Sequence, residues 1–151
     1  MPFTELILQV LAIAVAVGVL FFSIRSFKKQ LQVTLFADYT KRYQDIMLNL
    51  PLTVTEDSFD FDQLDEVERD KTLRYMRAYF DLCSEELYLS ISGDIEPRTW
   101  TEWEKGIKAT FKFKAFRDAW ILLGFNTEFY EKFSEFAQIC IAEPTESKLT
   151  T

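Results

Sequence analysis

The chain has 151 residues, of which 48% are hydrophobic and 27% charged, and its formal net charge is −7 at pH 7. These proportions are ordinary for a folded protein, and the acidic balance argues against a nucleic acid partner, which would need a basic face. Histidine is absent, which removes Ser-His and Cys-His nucleophile arrangements, histidine general bases and most zinc sites. We therefore expect neither a cofactor nor an enzymatic activity.

Residues 6–24, LILQVLAIAVAVGVLFFSI, form a run of 19 residues without a charged side chain, which we call the apolar segment. As a helix it extends about 29 Å, close to the hydrocarbon thickness of a bilayer. Thirteen of its 19 side chains are Leu, Ile, Val or Phe, and each favours insertion by about 0.3 to 0.6 kcal/mol near the bilayer centre. The segment predicts a membrane span that includes Leu6, Gln9, Ala14, Gly18, Phe22 and Ile24.

Two alternatives to a membrane span remain open for the apolar segment. A secretory signal peptide carries positive charge before its apolar stretch and a small-residue cleavage site after it. Here Glu5 precedes the stretch, and bulky Phe21, Phe22 and Ile24 end it. A buried core helix rarely runs this long without a charge. The pattern therefore favours the membrane span over both alternatives.

The charges that flank the apolar segment indicate its orientation. Arg25, Lys28 and Lys29 follow it, and no Lys or Arg precedes it. Because positive charge stays on the cytoplasmic side, we expect the N-terminus outside and the rest of the chain in the cytoplasm. Ala14 and Gly18 have the spacing of small residues at helix contacts in a bilayer, which would permit a homo-oligomer.

The chain divides by sequence into an anchor with its basic flank (1–30), a cytoplasmic helical domain (31–142) and a flexible tail (143–151). The apolar positions from 31 to 50 fall on one face of a helix, no breaker separates them from the apolar segment, and Pro51 stops the pattern. Residues 51–63 form the longest loop. The next helix is expected over about 65–92, with Gly93 as its C-terminal cap.

Three further helices complete the predicted domain. Pro97 suits the first turn of one, a shorter helix covers about 115–123, and Asn126 or Thr127 caps the last. Strand alternation never persists beyond a few positions. The pattern therefore predicts an all-α protein, with the membrane helix followed by an antiparallel bundle of four or five helices. Its core is expected to include Phe80, Cys83, Leu87, Trp100, Trp103 and Trp120, with Cys83 and Cys140 as free thiols.

Asp81 and Glu85 lie four residues apart on one helical face, with Glu86 beside them. Such carboxylates can bind a metal, which leaves a metal-dependent enzyme as an alternative, although di-iron bundles also use Glu-x-x-His and the chain has no His. The favoured interpretation is an ion pair between helices around Glu85. The candidate cations on the same chain are Arg74, Arg77 and Arg117.

Lys105, Lys108 and Lys112 share one face of a predicted helix. This face is a candidate interaction surface for lipid headgroups or an acidic partner, although a solvated face is the more ordinary interpretation. The acidic run over 56–70 is a candidate site for cations or a basic protein surface, although a solvated loop and helix start is the more ordinary interpretation.

The stretch Tyr79-Phe80-Asp81-Leu82-Cys83-Ser84-Glu85-Glu86 is followed by Tyr88, Gly93, Ile95, Trp100, Trp103, Gly106 and Phe116-Arg117-Asp118-Ala119-Trp120. Over about residues 35–137 this pattern resembles an uncharacterised family of small bacterial helical proteins, many with an N-terminal membrane span. The resemblance implies an all-α fold and carries over no activity.

The function expected from these features is that of a non-enzymatic interaction or accessory protein. The bilayer is its first partner, and an unidentified protein or membrane complex is its second, because anchoring raises the effective concentration of a domain near a membrane partner. A membrane signalling or regulatory subunit is a further alternative. It is disfavoured because only about five residues lie outside the span.

Overall fold

The computed structural model describes residues 2–125 and 130–142, and this part of the chain is all-helical, without a strand. Its five α-helices are α1 (Pro2–Leu48), α2 (Glu66–Ser92), α3 (Pro97–Thr110), α4 (Lys114–Leu123) and α5 (Glu131–Ala142). Two 3₁₀ turns, Leu52–Thr55 and Phe61–Gln63, lie between α1 and α2. The predicted cap of the last helix at 126–127 and the predicted tail at 143–151 lie outside the described residues.

The chain divides into two compact units, Met1–Ala37 and Asp38–Thr151. The boundary therefore falls within α1, whereas the sequence analysis places the end of the anchor region after residue 30. The last turns of α1, from Asp38 onward, belong to the second unit together with α2 to α5.

The first unit is the greater part of α1, and its apolar side chains are exposed. An 18-residue window of this helix has a mean hydropathy of 2.7, and none of it is buried within the described chain. Leu6 is 56% exposed and Phe22 73%. By length and composition α1 is able to cross a membrane. Within the described residues this window therefore lacks the burial that is typical of a core helix.

The helix α1 ends at Leu48 rather than at the predicted Leu50. The Asn49 Nδ2 donates to the Asp45 carbonyl at 2.8 Å, which satisfies one of the free acceptors at this end. The chain turns there because Pro51 disfavours helical geometry in the residue before it.

The helix α2 occupies the centre of the second unit and packs against α3, α4 and α5. Its N-terminus is capped by Asp65, whose Oδ1 accepts from the Glu68 amide at 2.8 Å. Glu66 and Glu68 in the first turn are stabilised by the helix dipole. The helix ends where Gly93 adopts φ 76°, a left-handed conformation that other residues rarely take, so its predicted role as a C-cap is confirmed.

The core of the second unit is a cluster of aromatic rings around Phe80, which is fully buried. Its ring centroid lies 5.7 Å from that of Phe111 at the C-terminal cap of α3, 5.1 Å from Trp120 on α4 and 5.5 Å from Phe125 beyond α4. Most of these pairs meet edge to face, which is a favourable ring geometry. One side chain of α2 therefore joins two neighbouring helices and the segment after α4.

The structure places the predicted core residues in two groups. Phe80, Cys83 and Trp120 are buried, whereas Leu87, Trp100 and Trp103 are only half-buried. The tryptophans of α3 lie at the margin of the cluster, where Trp100 contacts Phe136 at 6.0 Å between centroids. Their helical spacing identified a packed stripe correctly but overstated how deep that stripe lies. Cys83 and Cys140 are both buried and free.

Replacing Phe80 by Ala should lower the free energy of unfolding by about 3 to 5 kcal/mol, because it removes a buried ring from a close-packed cluster. Tyr88, which is 69% exposed on the same helix, provides the control. Tyr88→Ala should stay within about 0.5 kcal/mol. Urea unfolding followed by circular dichroism measures both, and similar values for the two variants would contradict the described core.

Deleting residues 1–30 should yield a soluble, helical, monomeric protein, because the second unit has its own core. Circular dichroism and size-exclusion chromatography measure the result. An aggregated or unfolded fragment would mean that the removed part of α1 contributes to the folding of the second unit.

Candidate functional site

The strongest concentration of interacting polar groups lies on one face of α2, at Asp81, Glu85 and Glu86. This face is met by the last turns of α1, which carry Tyr39 and Arg42 on one side of that helix. All five residues belong to the second unit. We call them the α1–α2 polar cluster.

Glu85 is the centre of the polar cluster. The Arg42 guanidinium donates from Nη1 to Oε2 at 2.6 Å and from Nη2 to Oε1 at 3.2 Å, and the Tyr39 hydroxyl donates to Oε2 at 3.1 Å. The hydrogen bond from Arg42 lowers the pKa of Glu85. Such a two-pronged pair has a strict geometry, so it sets how the end of α1 lies against α2.

The predicted ion pair between helices at Glu85 is confirmed, but its predicted partners are wrong. Arg74 pairs with Asp70 at 2.9 Å on its own helix. Arg77 lies over the Phe125 ring, 5.5 Å from its centroid. Arg117 donates to the carbonyl oxygens of Phe111 and Lys112 at 2.8 and 2.6 Å.

Aromatic stacking extends the polar cluster towards α3. The Arg42 guanidinium carbon lies 5.1 Å from the centroid of the Tyr39 ring, which is within the range of a cation–π contact. On α3, the Trp103 ring stacks on Tyr39 with a centroid distance of 5.3 Å. Trp103 therefore reaches Glu85 through Tyr39, and these contacts connect α1, α2 and α3.

Asp81 binds a different part of the chain. The hydroxyl of Tyr130, just before α5, donates to its Oδ1. Burial raises the pKa of Asp81, and nearby Arg77 opposes that change. Asp81 and Glu85 thus each accept a hydrogen bond from an element other than α2.

Glu86 differs from Asp81 and Glu85 because it is buried, with the residue only 7% exposed. Burial raises its pKa to about 8; Arg42 opposes the change and the negative charge of Glu85 adds to it. At neutral pH the carboxyl therefore carries a proton for much of the time. Sequence spacing placed Glu86 beside the candidate metal ligands and gave no sign that it is buried.

The carboxylates are not arranged as a metal centre. Within residues 2–125 and 130–142, no group of three or more His, Cys, Asp or Glu side chains is placed to hold a metal ion. Asp81 and Glu85 are occupied by hydrogen bonds from Tyr130 and Arg42, so the geometry of this face fits helix–helix connection.

The predicted lysine face on α3 is largely balanced by carboxylates one turn earlier. Lys105 pairs with Glu102 at 2.8 Å and Lys108 with Glu104 at 3.1 Å. Lys112 is exposed beyond the end of α3. The three lysines therefore do not form a strongly basic surface.

The residues of the predicted span and flank lie on α1 with exposed side chains. The span residues are Leu6, Gln9, Ala14, Gly18, Phe22 and Ile24, and the flanking cations are Arg25, Lys28 and Lys29. An apolar groove on the span is lined by Leu6, Ile7, Val10, Leu11 and Ala14.

Sequence reasoning missed the partners of the polar cluster. Tyr39 falls within the apolar face predicted over residues 31–50, and no sequence pattern marks Arg42 or Tyr130 as a partner of a carboxylate on the next helix. The available signal was the spacing of Tyr39 and Arg42, which places a hydroxyl and a cation one turn apart on one face. No spacing rule links either residue to Glu85, more than forty residues later.

Comparison with protein-family models, curated proteins and solved structures finds no match to this chain. The resemblance to a family of small bacterial helical proteins therefore stays a prediction.

Replacing Glu86 by Gln should stabilise the protein more at pH 8 than at pH 5. A carboxyl whose pKa is higher in the folded than in the unfolded state makes stability fall as pH rises from about 4.5 to about 8. The uncharged amide of the variant does not ionise, so the variant should not lose this stability as the pH rises. Urea unfolding at the two pH values measures the effect, and exposed Glu135→Gln controls for the loss of one negative charge.

Glu85→Gln should show the opposite sign, because the folded-state pKa of Glu85 is lowered. The stabilisation that ionised Glu85 provides is fully present above its unfolded-state pKa and is lost as the pH falls through its lower folded-state pKa. Because the substitution removes this stabilisation, it should lower the free energy of unfolding at pH 8. Equal pH dependence in the two variants would contradict the described difference in their surroundings.

Proposed function

We propose that this protein is a membrane-anchored, non-enzymatic interaction or accessory protein. In this proposal the apolar segment crosses a bilayer, and the helices from the end of α1 to α5 form an antiparallel bundle at the cytoplasmic face. There the bundle binds a protein partner or completes a membrane complex. The observation that carries the proposal is the exposure of the apolar segment, none of whose most apolar window is buried.

Exposure of this kind is costly in water. Burying one Val, Leu, Ile or Phe side chain is worth about 1.5 to 3 kcal/mol, and the apolar segment has 13 of them. A soluble monomer rarely exposes such a large continuous apolar surface. A bilayer supports the same helix without loss, because every backbone polar group of the helix is already hydrogen-bonded.

The proposed cytoplasmic location of the second unit is supported by the basic flank of the apolar segment. Arg25, Lys28 and Lys29 are exposed and lie one to five residues after the apolar segment. They are close enough to the bilayer for the positive-inside tendency to apply, and each also attracts anionic headgroups by about 1 kcal/mol.

An interaction role is supported by the contacts of the polar side chains in the second unit. The carboxylates Asp81 and Glu85 connect α2 to Tyr130 and to α1, and the lysines of α3 pair with acids of the same helix. These groups are engaged in contacts within the fold, which supports a role in which the surface of the second unit binds a partner.

Alkaline carbonate extraction tests the anchor. The full-length chain should remain in the membrane pellet, and the double variant Val15→Arg/Gly18→Arg should move to the supernatant or fail to insert. Each central arginine costs about 2.5 to 3.5 kcal/mol of insertion free energy.

A charge-matched control is the double variant Gln30→Arg/Val33→Arg, which changes exposed positions of α1 outside the apolar segment. It should remain in the pellet like the wild-type chain. Release of the wild-type chain by carbonate would contradict the proposed anchoring.

A further inference from the structure

A cleft on the second unit lies between the second 3₁₀ turn, the first part of α2 and the last turns of α4. It has a volume of about 260 Å³ and is lined by Asp60, Phe61, Asp62, Arg69, Asp118, Ile121 and Leu122. We call it the α4 cleft. None of its residues takes part in the polar cluster on α2.

The apolar part of the α4 cleft is open to solvent. Ile121 is 70% exposed and Leu122 53%, whereas Phe61 beside them is 3% exposed. Asp118 precedes Ile121 by three residues and Leu122 by four, so all three lie on neighbouring positions of the α4 surface. Two large aliphatic side chains in a concave site form a surface that a partner is able to cover.

The polar part of the cleft is acidic, with three carboxylates against one guanidinium. Arg69 contacts Asp62 at 3.3 Å, but the Asp62 side chain remains 80% exposed. Lys114, beside the cleft, pairs with Asp118 at 2.6 Å. The adjoining segment 56–70 carries eight acids and a single cation, Arg69. Two of the three carboxylates are thus paired with cations, and it is the excess of acids within residues 56–70 that favours a ligand with positive charge and repels an anionic one.

We propose that the α4 cleft binds a basic amphipathic helix of a protein partner. Apolar side chains of that helix cover Ile121 and Leu122, and its lysines or arginines meet Asp62 and the other carboxylates of the rim. This proposal rests on the proposed function as an interaction protein and names the chemistry of the partner. A second copy of the chain is disfavoured as the occupant, because two acidic clefts repel each other, and anionic lipid is disfavoured for the same reason.

The test uses the full-length chain in nanodiscs of uncharged phosphatidylcholine, with empty nanodiscs as the background. The probe is a fluorescent peptide of about 14 residues, roughly four helical turns, with leucines on one face and lysines on the other. Fluorescence anisotropy should show binding that weakens as salt is added. A matched peptide with glutamate in place of lysine should not bind.

Two variants locate the binding site. Ile121→Ser/Leu122→Ser removes the apolar contact, and Asp62→Lys reverses an exposed charge of the rim. Each should weaken binding by about tenfold or more. Ile139→Ser, which changes an equally exposed aliphatic residue on α5, should leave binding unchanged. All of these positions are exposed, so circular dichroism should show unchanged folding.

Three results would overturn the proposal. The first is equal binding of the lysine peptide to the wild-type chain and to the cleft variants. The second is binding of the glutamate peptide that equals that of the lysine peptide. The third is a self-association that Ile121→Ser/Leu122→Ser abolishes while no peptide binds. A chain that nanodiscs do not retain would instead contradict the membrane anchor. The same titration in buffer would then still decide whether the cleft binds the peptide.

Discussion

Burial of the aromatic rings around Phe80 is the interaction on which the second unit depends. Rings from α2, the C-terminal cap of α3, α4 and the segment after α4 meet at centroid distances of 5.1 to 6.4 Å, and Phe80, Phe111 and Phe116 are fully buried. Large rings contribute much apolar area per residue and prefer a few relative orientations. The helices of the second unit can therefore pack in a single arrangement with few glycines and no disulfide.

The polar cluster restricts how the helices around this apolar core are oriented. Apolar burial is largely non-directional, whereas the two hydrogen bonds from Arg42 to Glu85 require one alignment of α1 against α2. Tyr39 stacked on Trp103 extends the same connection to α3. Glu86 lies beside Glu85 on α2, and its burial raises the pKa of its carboxyl to about 8, which favours the uncharged form over a buried negative charge.

The two proposed surfaces differ in chemistry and in the partner that each suits. The apolar segment carries no charge and suits a bilayer, whereas the α4 cleft combines two exposed aliphatic side chains with an acidic rim and suits a basic helix. A protein that is anchored by one surface and binds through the other needs no catalytic group of its own. Anchoring also raises the effective concentration at which the second surface meets a membrane partner.

The helices and the apolar segment could be predicted from local patterns in the sequence. Helical periodicity, Asp65, Gly93 and Pro51 act within a few residues along the chain, so the bounds of α2 and the end of α1 followed almost residue by residue. Which side chains meet across the second unit became clear only from the way its helices pack. The partner of Glu85 is Arg42 rather than Arg74, Arg77 or Arg117, Glu86 is buried, and Trp100 and Trp103 are half-buried. Pairing between distant residues and depth of burial depend on how whole helices pack, whereas local spacing indicates only which face of a helix is packed.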